Sequence, residues 1–110
     1  MTDREWAQKQ LEKRGPGERF VHAAPCKDAE GYKGWLVASD QRVWYFQNGP
    51  AGGSEEYEYD AEIRRQNVPL SFGRRVMLVI AGGPFTMETE LADEFVDVVR
   101  RVRDRGTAGS

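Results

Sequence analysis

The spacing of apolar residues changes along the chain, and each change marks an element. From Leu91 onward the apolar positions Leu91, Phe95, Val98, Val99 and Val102 recur at i, i+4, i+7, i+8 and i+11, one continuous stripe along a helix. Asp93, Glu94 and Asp97 stand early in this segment and Arg100, Arg101, Arg103 and Arg105 late, the order that complements a helix dipole. Gly106 is the expected stop, and 107–110 are expected to form a disordered tail. At the other end, Thr2-Asp3-Arg4-Glu5 has the form of a capping box and Gly15-Pro16-Gly17 closes a short helix over residues 1–15. Its apolar stripe is only Trp6, Ala7 and Leu11, so this helix needs a surface to lie on.

Residues 16–106 are expected to form one domain, strand-like at first and closed by the second helix. The pattern predicts strands over Glu18–Ala24, Lys33–Ser39, Arg42–Gln47, Glu55–Asp60, Glu62–Val68, Arg74–Ala81 and Phe85–Glu90. Pro25–Gly31 and Asn48–Gly53 read as loops, and Phe72-Gly73 and Gly82-Gly83-Pro84 as turns. Seven short strands at this spacing predict an antiparallel sandwich or barrel.

The second and third strands carry a further consequence. A tight turn between Ser39 and Arg42 puts Trp35 opposite Phe46 and Val37 opposite Trp44 on one face; Leu36 then opposes Tyr45 and Ala38 opposes Val43 on the other. Both faces are apolar, so both need a cover. Either the N-terminal helix supplies the second cover through Trp6 and Leu11, or a partner protein or second copy does. On the latter reading Trp6, Trp35, Trp44 and Phe46 form an interaction surface.

Length and composition narrow the class. At 110 residues the chain has room for one core and no second domain, and twelve aromatics with a net charge of −2 argue against disorder. A lone Cys26 excludes an intramolecular disulfide. The N-terminal stretch lacks the apolar region of a signal peptide, and the longest apolar run, Val76–Ala81, is too short to span a bilayer. A cytoplasmic protein is expected. Sixteen basic against eighteen acidic residues give no broad cationic field, so specific nucleic-acid binding is not expected.

The stretch Gly17-Glu18-Arg19-Phe20-Val21, followed by Gly34-Trp35-Leu36-Val37-Ala38-Ser39-Asp40-Gln41-Arg42-Val43, resembles the bacterial pleckstrin-homology-like domains of the YokE type, related to GRAM domains. Those show "GE-x-hydrophobic", then "G-x-L-x-x-T-x-x-R-hydrophobic"; Ser39 stands where Thr is usual, and Arg42 matches. Tyr59 to Ile63 is similar to a later Tyr-to-Ile step with one extra residue. The resemblance covers about Gly17 to Asp104. It implies a mainly β fold with α: a seven-stranded antiparallel half-barrel of two sheets, capped by the C-terminal helix, with the N-terminal helix added. It also implies a non-catalytic scaffold that recognises proteins, peptides or lipids.

Candidate chemistry is sparse. His22 and Cys26 are spaced H-x3-C, but no second Cys or His completes a metal set, and no orienting group marks a nucleophile pair. No metal, cofactor or catalytic residue is therefore expected. The glycine-rich stretches match no phosphate loop. In relatives that bind inositol phosphates the first hairpin is rich in Lys and Arg; here it holds Lys27 and Lys33, diluted by Asp28 and Glu30. Arg64-Arg65 and Arg74-Arg75 flank another hairpin, though neighbours on a strand point to opposite faces. The leading expectation is a protein-interaction or self-associating module. The alternative is a peripheral binder of anionic lipid or a small anion through Lys27, Lys33, Arg64, Arg65, Arg74 and Arg75.

Overall fold

The structure, a computed structural model, describes residues 3–48 and 52–108. Helix α1 (Asp3–Arg14) leads into strands β1 (Phe20–Lys27), β2 (Lys33–Ser39), β3 (Val43–Gln47), β4 (Ser54–Tyr57), β5 (Ile63–Asn67), β6 (Arg75–Ile80) and β7 (Gly83–Glu88), and helix α2 (Thr89–Ala108) closes the chain. The strands form one antiparallel sheet in the order β4-β3-β2-β1-β7-β6-β5. Its two halves are joined through a single residue pair, Lys27 with Thr86. The mainly β fold with a helix at each end is thus as the pattern predicts, while that pair makes one continuous sheet where two are expected.

Alternation along the strands decides what each face carries. Leu36, Ala38, Val43 and Tyr45 from β2 and β3, with Val76, Leu78, Ile80, Phe85 and Met87 from β6 and β7, make the inner core. The α2 stripe enters it through Phe95 and Val99, joined by Ala92. Each fully buried Leu, Ile or Phe contributes about 1.5–3 kcal/mol relative to exposure. The outer face of β2 and β3 presents Val37, Trp44 and Phe46, and α1 covers them with Ala7 and Leu11, both almost fully buried. The register of this hairpin is the predicted one: Trp35 with Phe46, Leu36 with Tyr45, Val37 with Trp44, Ala38 with Val43.

The structure corrects several boundaries. β1 runs on through Pro25 and Cys26, where a loop is expected, pairing Pro25 with Trp35. A proline needs an unpaired flank in a sheet, and the β7 side of β1 is unpaired there. The β6–β7 turn is Ala81-Gly82, one residue earlier than expected, with Ile80 facing Gly83. Both turn residues have positive φ, 50° and 86°, the twist that closes a two-residue hairpin. Helix α2 continues through Gly106 to Ala108, so Thr107 and Ala108 are helical rather than tail. A glycine costs a helix only about 1 kcal/mol, too little to stop this one. Thr2 of the capping box and residues 109–110 of the expected tail lie outside the described residues.

Candidate functional site

The basic residues singled out from the sequence do not gather as they are spaced along the chain. Lys27 ends β1 and Lys33 begins β2, and they are direct cross-strand partners. Lys27 also faces Thr86 of β7, while Arg75 of β6 faces Glu88 two residues further along β7. Lys27, Lys33 and Arg75 therefore line one cavity of 270 Å³, at the place where β1 and β7 part. Trp35, Asn48 and Thr86 share its wall, and Glu88 is its one carboxylate among the described residues. None of the three basic side chains forms an ion pair among the described residues. Like charges directly opposite on a sheet repel. Here two lysines are direct cross-strand partners and an arginine lines the same cavity, an arrangement that an anion would relieve.

The other arginines are placed elsewhere. Arg65 reaches α2 and pairs with Asp93 at 3.4 Å, and Arg64 lies 3.8 Å from Glu62. The two are thus taken up separately, as strand alternation requires. Arg74 sits in the β5–β6 turn, its amide donating to the Ser71 carbonyl at 3.1 Å.

The loop of the first hairpin turns its acids the other way. Asp28 accepts the amides of Glu30 and Tyr32 and, at 2.9 Å, the Tyr45 hydroxyl. Asp28, Glu30 and Glu55 line a second cavity of 310 Å³ floored by Tyr45 and Phe85. Burial and the neighbouring carboxylates raise the Tyr45 and Tyr57 hydroxyls above the usual tyrosine range. They remain protonated donors, Tyr57 to Glu55 and Tyr45 to Asp28. The acidic lining makes this cavity hostile to anions.

The residues that carry the family resemblance have a structural task. The Glu18 carboxylate, 6 % exposed, accepts the Ser39 hydroxyl at 2.6 Å and the Trp44 indole N–H at 3.1 Å. Arg42 Nε lies 3.3 Å from the same oxygen, and the other side of its guanidinium donates to Glu56 at 2.7 Å. Ser39 also accepts the amides of Gln41 and Arg42, and Tyr59 donates to the Ser39 carbonyl. Glu18 thereby ties the chain leaving α1 to the β2–β3 turn. Gly34 has an equally local reason, since a Cβ there would come within 2.5 Å of the Phe46 carbonyl oxygen.

Trp44 and Phe46, two members of the predicted interaction surface, are sealed beneath α1 at 6 % and 1 % exposure. The ring planes stack with centroids 5.6 Å apart. Trp6 and Trp35 are half-buried at the margin of the same cluster. The local helix is the better-placed cover, because it is tethered to the face by a linker of only a few residues.

His22 packs 6.3 Å from the Phe95 ring, with Glu94 at 3.8 Å from Nε2. Burial lowers its pKa, against the pull of Glu94. Cys26 is buried, and desolvation with the nearby Asp28 pushes its thiol up to about 12, so it is held as an unreactive thiol. Among the described residues, no three His, Cys, Asp or Glu are grouped to hold a metal, and no helix is long and apolar enough to cross a membrane.

Two surface residues carried no signal in the hydrophobic pattern. Leu70 and Phe72, in the β5–β6 turn, are each 93 % exposed and have positive φ, 64° and 55°. Only their position in a turn flanked by arginine pairs marked them in the sequence.

No protein-family model matches the chain, and no curated protein matches it. Among solved structures it is similar to the C-terminal domain of an unknown protein from Leishmania infantum, with a TM-score of 0.66 and 14% identity over 89% of this chain and 96% of that one. At that identity the likeness concerns the fold alone.

Proposed function

We propose that this chain is a non-catalytic binding module of pleckstrin-homology-like type that holds an anionic ligand in the cavity between β1 and β7. The observation that carries the reading is the convergence of Lys27, Lys33 and Arg75, drawn from three strands, on one 270 Å³ cavity without an ion pair of their own. A phosphate or carboxylate group there would neutralise the facing lysines and take charge-assisted hydrogen bonds from all three side chains. Trp35 offers an apolar wall for whatever the anionic group is attached to. The protonated, buried Cys26 and the packed His22 offer no nucleophile and base in mutual reach, which supports a binding role over an enzymatic one.

The test is a titration with inorganic pyrophosphate at low and high salt, followed by the backbone amide resonances. Shifts are expected at Gly34 and Trp35, weakened by salt. Lys27→Ala combined with Arg75→Ala is expected to weaken binding about a hundredfold, about tenfold per lost charge-assisted contact. Shifts confined to the acidic cavity around Asp28, or none at all, would remove the reading. Protein interaction or self-association is the weaker proposal, because α1 takes up Trp44 and Phe46 and leaves only the margins of Trp6 and Trp35.

A further inference from the structure

The β5–β6 turn leaves Val68 and returns at Arg75, and Arg75 lines the basic cavity. Its backbone is closed by hydrogen bonds rather than by packing. Ser71 donates its hydroxyl to the Val68 carbonyl at 2.7 Å, the Arg74 amide donates to Ser71, and the Val68 amide donates to the Arg75 carbonyl. Thr89, the first residue of α2, anchors the turn from outside, its hydroxyl on the Gly73 carbonyl at 2.5 Å and its amide on the Arg74 carbonyl at 2.9 Å. On this braced frame Leu70 and Phe72 stand 93 % exposed in left-handed backbone conformations that side chains of their kind avoid. A turn built for folding alone would carry glycine or asparagine at both positions.

We infer that this turn is a wedge that enters the surface of an anionic lipid bilayer. Leu70 and Phe72 would lie among the acyl chains, and Arg74 and Arg75 at the lipid phosphates. The inference rests on the anion-binding reading above and deepens it by naming the source of the anion as a lipid headgroup. Charge complementarity selects this occupant: one glycine after the apolar tip come two arginines, neither in an ion pair among the described residues, and Arg75 lines the cavity with Lys27 and Lys33. Size argues the same way. Two such side chains offer roughly 350 Å² of contact, well under the ~800 Å² per partner of a stable protein interface. A convex apolar point with a cationic collar suits a deformable apolar phase with anionic headgroups.

The experiment compares co-sedimentation of the full chain with vesicles of phosphatidylcholine alone and of phosphatidylcholine with phosphatidylglycerol. It is run for the wild type, for Leu70→Asn with Phe72→Asn, and for Lys27→Ala with Arg75→Ala, each also titrated with pyrophosphate. Asparagine tolerates the left-handed region, so the wedge variant is expected to fold at least as stably as the wild type. Wild-type binding to the phosphatidylglycerol vesicles alone is expected, with a loss of about tenfold for each wedge residue replaced and pyrophosphate binding retained. Vesicle binding indifferent to the wedge variant would overturn the inference. So would wild-type binding of pyrophosphate without vesicle binding, which leaves the cavity reading in place. Binding of neither probe would overturn both. Dimerisation in light scattering that the wedge variant abolishes, without vesicle binding, would give the tip to a second copy and also overturn it.

Discussion

Replacing Glu18 with alanine removes one carboxylate oxygen that serves three groups. The Trp44 indole N–H, 3.1 Å away and inside a side chain only 6 % exposed, has no second acceptor among the described residues and is left buried without a partner. Such a group costs about 1–3 kcal/mol. The Ser39 hydroxyl loses its 2.6 Å bond but can turn to the Arg42 carbonyl at 3.1 Å, so its share is small. Arg42, one-third exposed, keeps Glu56, and its share is also small. The deleted methylenes of a nearly buried side chain add about 1 kcal/mol. The expected loss is therefore roughly 3 kcal/mol, against about 5–15 kcal/mol for a domain of this size. It should appear as a Tm lower by roughly 10–20 °C. Glu18→Gln keeps an acceptor for Trp44 and should lose only about 1 kcal/mol. Thermal and urea unfolding of both variants, followed by circular dichroism, give the comparison. Pyrophosphate binding should be unchanged, since Glu18 does not line the basic cavity. An alanine variant as stable as the wild type would refute the reasoning, and a glutamine variant as damaged as alanine would show that charge, not hydrogen bonding, holds the turn.

Three further outcomes are expected. Leu11→Ala, at a position 1 % exposed on the sheet-facing side of α1, should cost about 2–4 kcal/mol in urea unfolding and shift Trp44 emission to the red as the helix loosens; unchanged emission would mean α1 is not what keeps Trp44 dry. Ala81→Asn, at φ 50° in the two-residue β6–β7 turn, should stabilise by about 1 kcal/mol, because asparagine before glycine is the preferred pair there; a lower Tm would contradict the turn geometry. Because the folded His22 has a pKa below 6.5, the unfolded chain takes up its proton more readily. Its contribution to stability is complete above about pH 6.5 and declines as pH falls, so His22→Gln should show a shallower loss of stability on mild acidification than the wild type, measured by urea midpoints across that range.

The basic cavity was legible in the sequence only as scattered charges. Lys27 and Lys33 could be placed on the first hairpin, but their register depended on β1 continuing through Pro25, which local propensity reads as a loop. Arg75 stands far along the chain and joins them only because β7 bridges β1 and β6. The acidic loop residues that dilute the lysines along the chain turn to a different cavity, drawn there by the Tyr45 hydroxyl and the turn amides.

What the sequence determined by itself was whatever depends on near neighbours and on period. The α2 stripe, the seven strands and the β2–β3 register follow from alternation and a short turn, and so does the apolar character of both faces of that hairpin. The identity of the cover does not follow, because a face records that it must be buried and not by what. The tertiary structure decided that α1 covers Trp44 and Phe46, that Glu18 pins the turn from a distance, and that one lone residue pair joins the halves of the sheet. It also decided that Leu70 and Phe72 remain uncovered. Such outcomes rest on contacts between residues far apart in the chain, where a long closed loop leaves no periodic trace in the sequence.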